Sequence, residues 1–333
     1  MSNSKAKTYA LIVVLVILAV CAWLMFGKTA SGMDYPNADK YSIGNTEVTG
    51  TVNNLFVDWT SGKVNIEYHD GSGVTVTETA NRDLSEDDKL RWWLDGDTLR
   101  IRYAKSGFRV TINLEKQLTV SLPAGTVLKS AEIGSTSADI NIPSLTADEI
   151  RLDSTSGDMN AGTATKKLSV SSTSGSVTVL QSGDLDTADL RSTSGSLGIT
   201  VDGSIKEFRA DSTSGGVSLA VSGAAGNVKM ESTSGNVYPN LVSVDKAEIR
   251  STSGSVTGSV AFFKELKAST TSGNVSLKLG TDPGFTCKVS TSSGSFSSDL
   301  SLTKDKNTYT CGDGSAKCSI DTSSGDIRIG KID

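Results

Sequence analysis

Histidine is almost missing from this chain of 333 residues: His69 stands alone. With so little imidazole, most neutral-pH acid–base and metal chemistry has few residues to use. Proline is scarce as well, at 5 residues, while 37% of the residues are apolar and 21% charged, a balance that argues against a disordered chain. There is no excess of positive charge: 32 basic residues face 37 acidic ones, giving a net charge of -5. A protein that reads phosphate backbones needs a clustered basic surface, so nucleic acid is excluded as the primary ligand.

Catalytic and metal motifs are absent too. No Cys-x-x-Cys or mixed Cys/His zinc spacing occurs among the 4 cysteines. Neither Gly-x-Ser-x-Gly nor His-Glu-x-x-His is found. Gly27-Lys28-Thr29 imitates the end of a phosphate loop, but Ala22 stands where that motif needs glycine. His69, in Tyr68-His69-Asp70-Gly71, reads as a turn residue with no nucleophile beside it. No catalytic residue, metal site or cofactor is expected.

What the chain does have is an uncharged apolar run over 10–26, extended by Tyr9 and Gly27. The 9–27 stretch, at about 1.5 Å per residue, reaches roughly 28 Å and can span a hydrocarbon core. Lys5 and Lys7 precede it, so the positive-inside bias puts the N-terminus in the cytoplasm and the remainder outside. This predicts a single-pass cell-membrane protein with an extracytoplasmic C-terminal domain: a tail over 1–8, a signal-anchor helix over 9–27 and a stalk over 28–43. A cleaved leader cut near Ala30-Ser31-Gly32 is the alternative. A lipoprotein cut before Cys21 is disfavoured by Val20 and by the apolar residues that follow.

The rest of the chain is rich in Ser, Thr and Gly and repeats itself. Ser-Thr-Ser-Gly or a close variant places its glycine at Gly157, Gly175, Gly195, Gly215, Gly235, Gly254, Gly273, Gly294 and Gly325. An earlier copy has Ala138 in that place, and a diverged one ends at Gly62. The period is about twenty residues, except for a longer final step that implies an inserted loop. Three columns aligned on the glycine are apolar throughout. Seven residues before it, the column holds for example Leu168, Ala188, Phe208 and Val228. Five before it stand Val170, Leu190, Ala210 and Met230, and two after it Val177, Leu197, Val217 and Val237. Polar residues alternate with them, the period-2 signature of strands with one buried face.

A unit of this size cannot bury its apolar side chains alone, whereas stacking at about 4.8 Å builds one continuous core. The expected fold is therefore all-β: a parallel β-solenoid, right-handed, of about ten coils of about 20 residues, preceded by one N-terminal transmembrane helix. Residues 44–130 are expected to hold a β-rich cap and the first coils. Residues 131–333 are expected to hold the solenoid and a C-terminal hairpin cap around Tyr309 to Gly314. The corner glycines are expected to supply positive φ or close approach. The serine before each glycine and the hydroxyl three before it are expected to stack as hydrogen-bonded ladders. The outward column four before the glycine sets Arg191 over Asp211 and Glu231 beside Arg250, predicting ion pairs between coils that bear on register and solubility.

Outside the membrane run the cysteines are Cys287, Cys311 and Cys318. Cys287 and Cys318 share one core column, so the alignment puts them on adjacent coils. Cys311 and Cys318 are close in sequence across the expected hairpin. Cys311–Cys318 is the preferred disulfide, Cys287–Cys318 the alternative, and buried free thiols the third reading.

With these residues in hand, the chain over 44–333 resembles the bacterial family called domain of unknown function 4097, described as candidate adhesins with β-strand repeats. The features that carry the resemblance are the repeated Ser-Thr-Ser-Gly-x-Val, the segment from Leu55 to Ile66, Gly312-Asp313-Gly314, and the segment from Asp321 to Ile329. The resemblance implies a surface-exposed envelope protein, tied to adhesion or envelope stress, and transfers no catalytic residue. The expected role is a non-catalytic surface binding or adhesion module whose partner is cell-wall material, a glycan or a protein. The alternative is a structural or regulatory accessory of envelope stress. A carbohydrate lyase or hydrolase is the weakest reading, because the repeat columns offer hydroxyls rather than clustered carboxylates. The sequence does not set the oligomeric state.

Overall fold

The computed structural model describes residues 34–107, 113–282 and 284–332. The expected transmembrane helix over 9–27 lies outside the described residues, as do the tail and the first part of the stalk. Among the described residues no helix is long and apolar enough to cross a membrane.

The architecture is a β-solenoid with a single core, and the only helical element among the described residues is the short 3-10 turn Ala38–Lys40. Strands such as Leu185–Ser192 and Ile205–Ser212 alternate strictly between buried and outward side chains as they approach the corner. Equivalent strands pair in parallel and in register, so Leu190 sits between Val170 and Ala210, like on like. The three apolar columns form the interior, with Val177, Leu190, Val217 and Ile249 all nearly or fully inaccessible. Phe296 is the exception, half-buried on the outermost coil against the ring of Tyr309, 4.4 Å away.

The order of the stack is not the order of the chain. Along the axis the rungs run Leu99, Leu55, Ala131, Ile150, Leu168, Ala188, Phe208, Val228, Ala247, Leu266, Cys318 and Cys287, each the Cα partner of the next. Twelve rungs at about 4.8 Å make a stack of roughly 53 Å, two rungs more than the repeat count suggested. At each end the chain overshoots by one coil and then returns. The first coil, Asn54–Trp59 with Lys63–His69, is flanked outward by Thr98–Arg102 and Lys116–Pro123. The final coil, Ala316–Thr322 with Ile327–Lys331, is wedged inside the outermost pair Phe285–Thr291 and Phe296–Ser298.

Both ends are closed by antiparallel strands, which cover edges that would otherwise recruit other chains. At the N-terminal end these are Arg91–Asp95 and Val74–Ala80. At the C-terminal end they are Thr308–Cys311 and Thr303–Asp305. The C-terminal hairpin therefore turns at Lys306, which has φ +54°, and not at residues 312–314, which lead back into the stack.

The corner glycines are explained by contact, not by dihedral angle. None of the corner glycines from Gly157 to Gly325 has a positive φ. A Cβ added at Gly195 would lie 2.0 Å from the carbonyl oxygen of Gly175, and one at Gly215 equally close to that of Gly195. The two expected hydroxyl ladders also separate. The serine before each glycine is exposed, and only its backbone stacks, as where Ser214 N–H donates to the Thr193 carbonyl at 2.9 Å. The hydroxyl three before the glycine is buried in most coils and bonds the corner backbone, Ser154 donating to the Gly157 carbonyl at 2.8 Å, Ser232 to that of Gly215 on the preceding coil at 3.0 Å, and Ser212 accepting from Gly215 N–H at 3.0 Å.

One buried charge anchors the N-terminal cap. Lys116 is fully inaccessible, with Nζ 2.6 Å from Glu78 and donating to the carbonyls of Asp88 and Tyr103. It also lies over the rings of Trp59 and Tyr103, at 4.9 and 4.2 Å. Burial pushes its ammonium below the ordinary lysine value, although Glu78 pulls the other way.

Candidate functional site

Outward residues on the strand leading into each corner stand six and four positions before the glycine, two apart and therefore on one face. That spacing decides how the charges pair. Arg191 takes Asp189 on its own strand, with Nε 3.1 Å and Nη2 2.8 Å from the two carboxylate oxygens. Arg151 grips Asp153 in the same bidentate way, at 2.6 and 3.1 Å. Arg209 pairs with Asp211, Lys229 with Glu231, and Lys267 with Glu265. The expected pairing of Arg191 with Asp211 is present only as backbone register, because the partner on the same strand takes the guanidinium. Arg250 does reach Glu231 across coils, at 3.7 Å, and also bonds Glu248 on its own strand.

Between these charged columns and the threonines of the corners runs a groove of about 1030 Å³. It extends from Arg151 to Thr271 and crosses seven successive coils. Its lining combines the paired charges with the exposed or half-exposed corner threonines Thr193, Thr213, Thr233 and Thr252. Ser192, buried in the wall, has a hydroxyl without a hydrogen-bond partner among the described residues. Asp153, the partner of the end residue Arg151, is raised by burial against the pull of that arginine, and Arg191 is raised by its bond to Asp189. The sequence showed the outward column four before the glycine. It did not show the groove, whose lining is drawn from seven coils and becomes continuous only when they stack.

The remaining candidate residues lie elsewhere. Cys287 and Cys318 are Cα partners on adjacent strands, and both are buried free thiols. Burial and contact with Cys287 hold Cys318 well above the ordinary thiol value. Cys311 is also buried and free, and its register partner is Phe285 rather than Cys318. His69 closes the turn after its strand: Nδ1 accepts from Gly71 N–H at 3.2 Å and Nε2 donates to the Gly73 carbonyl at 2.8 Å. Both ring nitrogens are thus used locally.

The family model described as Toastrack DUF4097 matches residues 52–265 and, in a second overlapping placement, 166–330. Two placements are what a chain of near-identical units permits. No curated protein matches the sequence. Solved structures are similar as well, three of them as follows. A candidate cell adhesion protein from Clostridium sporogenes is 12% identical, with 88% of this chain and 100% of that one covered and a TM-score of 0.20. A candidate adhesin from Parabacteroides distasonis is 16% identical, covering 72% and 94%, with a TM-score of 0.33. Another from Bacteroides fragilis is 14% identical, covering 88% and 97%, with a TM-score of 0.32.

Proposed function

The chain belongs to the Toastrack DUF4097 family, and from that premise we propose that its solenoid is a non-catalytic surface binding module of the cell envelope. The observation that carries this reading is the groove, a continuous channel across seven coils walled by hydroxyls and paired charges. Such a wall can hold a ligand but offers no nucleophile poised beside a general base. His69, tied up in its own turn, supports the same view. The apolar run over 9–27 serves as the tether that keeps the binding face outside the cell.

Binding of the full chain, held in lipid nanodiscs, to envelope and host-matrix fractions tests the proposal. Reversing charge in the groove, with Arg191→Glu and Asp211→Lys, is expected to abolish binding. Thr200→Lys, on the outward face of the second strand, is expected to leave it intact. Equal binding by all variants sinks the groove as the site. The alternative, a structural or regulatory envelope component, draws on a different observation: the charges of this face already satisfy one another. That role predicts a phenotype that survives loss of the groove but not replacement of the tether.

A further inference from the structure

On the binding reading proposed above rests a finer one: the groove discriminates by charge and by shape. Seven coils at about 4.8 Å give the groove a length near 29 Å along the solenoid axis. An open trough of that length, running across the coils, suits an extended polymer strand laid along it.

The lining is electrically balanced. Three arginines, Arg151, Arg191 and Arg250, and three carboxylates, Asp189, Asp211 and Glu231, line it, and every one of these guanidiniums has a carboxylate already in hand, Asp153 for Arg151, Asp189 for Arg191 and Glu231 for Arg250. A polyanion would have to displace those carboxylates and leave them unpaired beside it; a polycation would do the reverse. A paired guanidinium still has free N–H groups and a paired carboxylate still has free lone pairs. Each pair therefore presents donors and acceptors side by side, the arrangement that matches neighbouring hydroxyls, which both donate and accept. The corner threonines repeat the same chemistry at each coil.

A peptide is less suited to this surface. Strand addition needs unpaired backbone, whereas the lining strands spend theirs on neighbouring coils on both sides. We propose that the groove binds an uncharged, polyhydroxylated polymer, a neutral polysaccharide strand laid along the solenoid axis. No aromatic ring is among the lining residues, so affinity comes from hydrogen bonds summed over coils, and long chains bind better than short oligosaccharides.

The test is retention of the full chain, in nanodiscs, on insoluble neutral β-1,3-glucan and on cross-linked polygalacturonate, at low and high salt, with a polar peptide resin as the third arm. The neutral glucan is expected to retain the protein equally at both salt levels. Thr213→Val combined with Thr233→Val removes two exposed hydroxyls and is expected to weaken retention roughly tenfold. Thr200→Val, outside the groove, is expected to change nothing. Salt-sensitive preference for polygalacturonate, or preference for the peptide resin, weakened by the double valine variant, overturns the ligand class while leaving the groove as a binding site. Glucan retention indifferent to the double variant overturns the assignment to the groove. Retention on none of the three overturns this inference and the binding reading together.

Discussion

Gly325 packs against Gly273, 52 residues earlier in the chain, so closely that a Cβ on Gly325 would lie 1.9 Å from the Gly273 carbonyl oxygen. On its other face it receives Gly294, whose own Cβ would lie 1.9 Å from the Gly325 carbonyl. The last repeat in sequence is thus the second-to-last rung of the stack.

The wedged coil is checked by cross-linking. Cys318 neighbours both Leu266 and Cys287, whereas Leu266 and Cys287 lie two coils apart, about 9.6 Å and beyond the reach of a disulfide. In a chain also carrying Cys311→Ser, oxidised glutathione should link Cys287 to Cys318. With Leu266→Cys added, replacing Cys287 by Ser should give a 266–318 bond, and replacing Cys318 by Ser should give none between 266 and 287. Peptide mapping by mass spectrometry reads the bonds; a 266–287 link would mean that the stack follows the chain.

Two glycines should respond very differently to alanine. At Gly215 the new methyl meets the Gly195 backbone at 2.0 Å, and neither coil can move without dragging its neighbours. The expected cost is about 3 kcal/mol or more. Gly183 has φ +73° but open space around it, so Gly183→Ala should cost only about 1 kcal/mol. Urea unfolding of the two variants measures the difference.

In the core, Phe208 is nearly inaccessible and stacks between Ala188 and Val228. Phe208→Ala should destabilise by about 3–5 kcal/mol through lost contact and the cavity left behind. Val217→Asp places an unpaired charge in the same interior and should abolish cooperative unfolding, as followed by circular dichroism.

The anchor of the N-terminal cap is a buried pair, and buried pairs are sensitive to losing one member. Lys116→Met strands Glu78 and should cost about 3–5 kcal/mol. Adding Glu78→Gln removes the stranded charge while keeping an acceptor for Leu90 N–H, and should restore at least half of the loss. Thermal melts of the single and double variants decide this.

Asp58 gives a pH signature. Burial raises its carboxyl above the ordinary value, more than the adjoining Arg102 lowers it. The folded chain therefore holds this proton more tightly than the unfolded one. Its contribution to stability is complete below the ordinary aspartate value and is lost as pH rises through the raised folded value. Asp58→Asn should flatten the stability curve from about pH 4 upward, where a free aspartate would titrate. An unchanged curve would place Asp58 in an ordinary environment.

Residues with the same neighbours in every unit were legible in the sequence. The columns of Leu190, Ala210 and Val217 alternate with polar residues because a strand has two faces and only one can be dry. Their recurrence every twenty residues required stacking, because no single unit could cover its own apolar side, and the resemblance to the adhesin-like family rested on the same residues. The corner glycine also announced a tight place, though only the folded stack showed that the tightness comes from the carbonyl of the adjoining coil.

What tertiary structure alone decided concerns order and partnership. The spacing from Gly294 to Gly325 announced an insertion, but not that the chain would step outward, turn at Lys306 and return beneath its own outermost coil. Nothing local distinguishes Cys318 beside Leu266 from Cys287 beside Leu266, since both satisfy the same column. The choice falls to whichever arrangement also covers the open edge. In the same way Arg191 had two carboxylates within reach in the alignment, and the fold gave it the one on its own strand, where the side chains already lie parallel and little freedom is lost. Sequence settles which side chains must leave water; only the packed stack settles which neighbour each one meets there, because that depends on residues far apart in the chain arriving at the same rung.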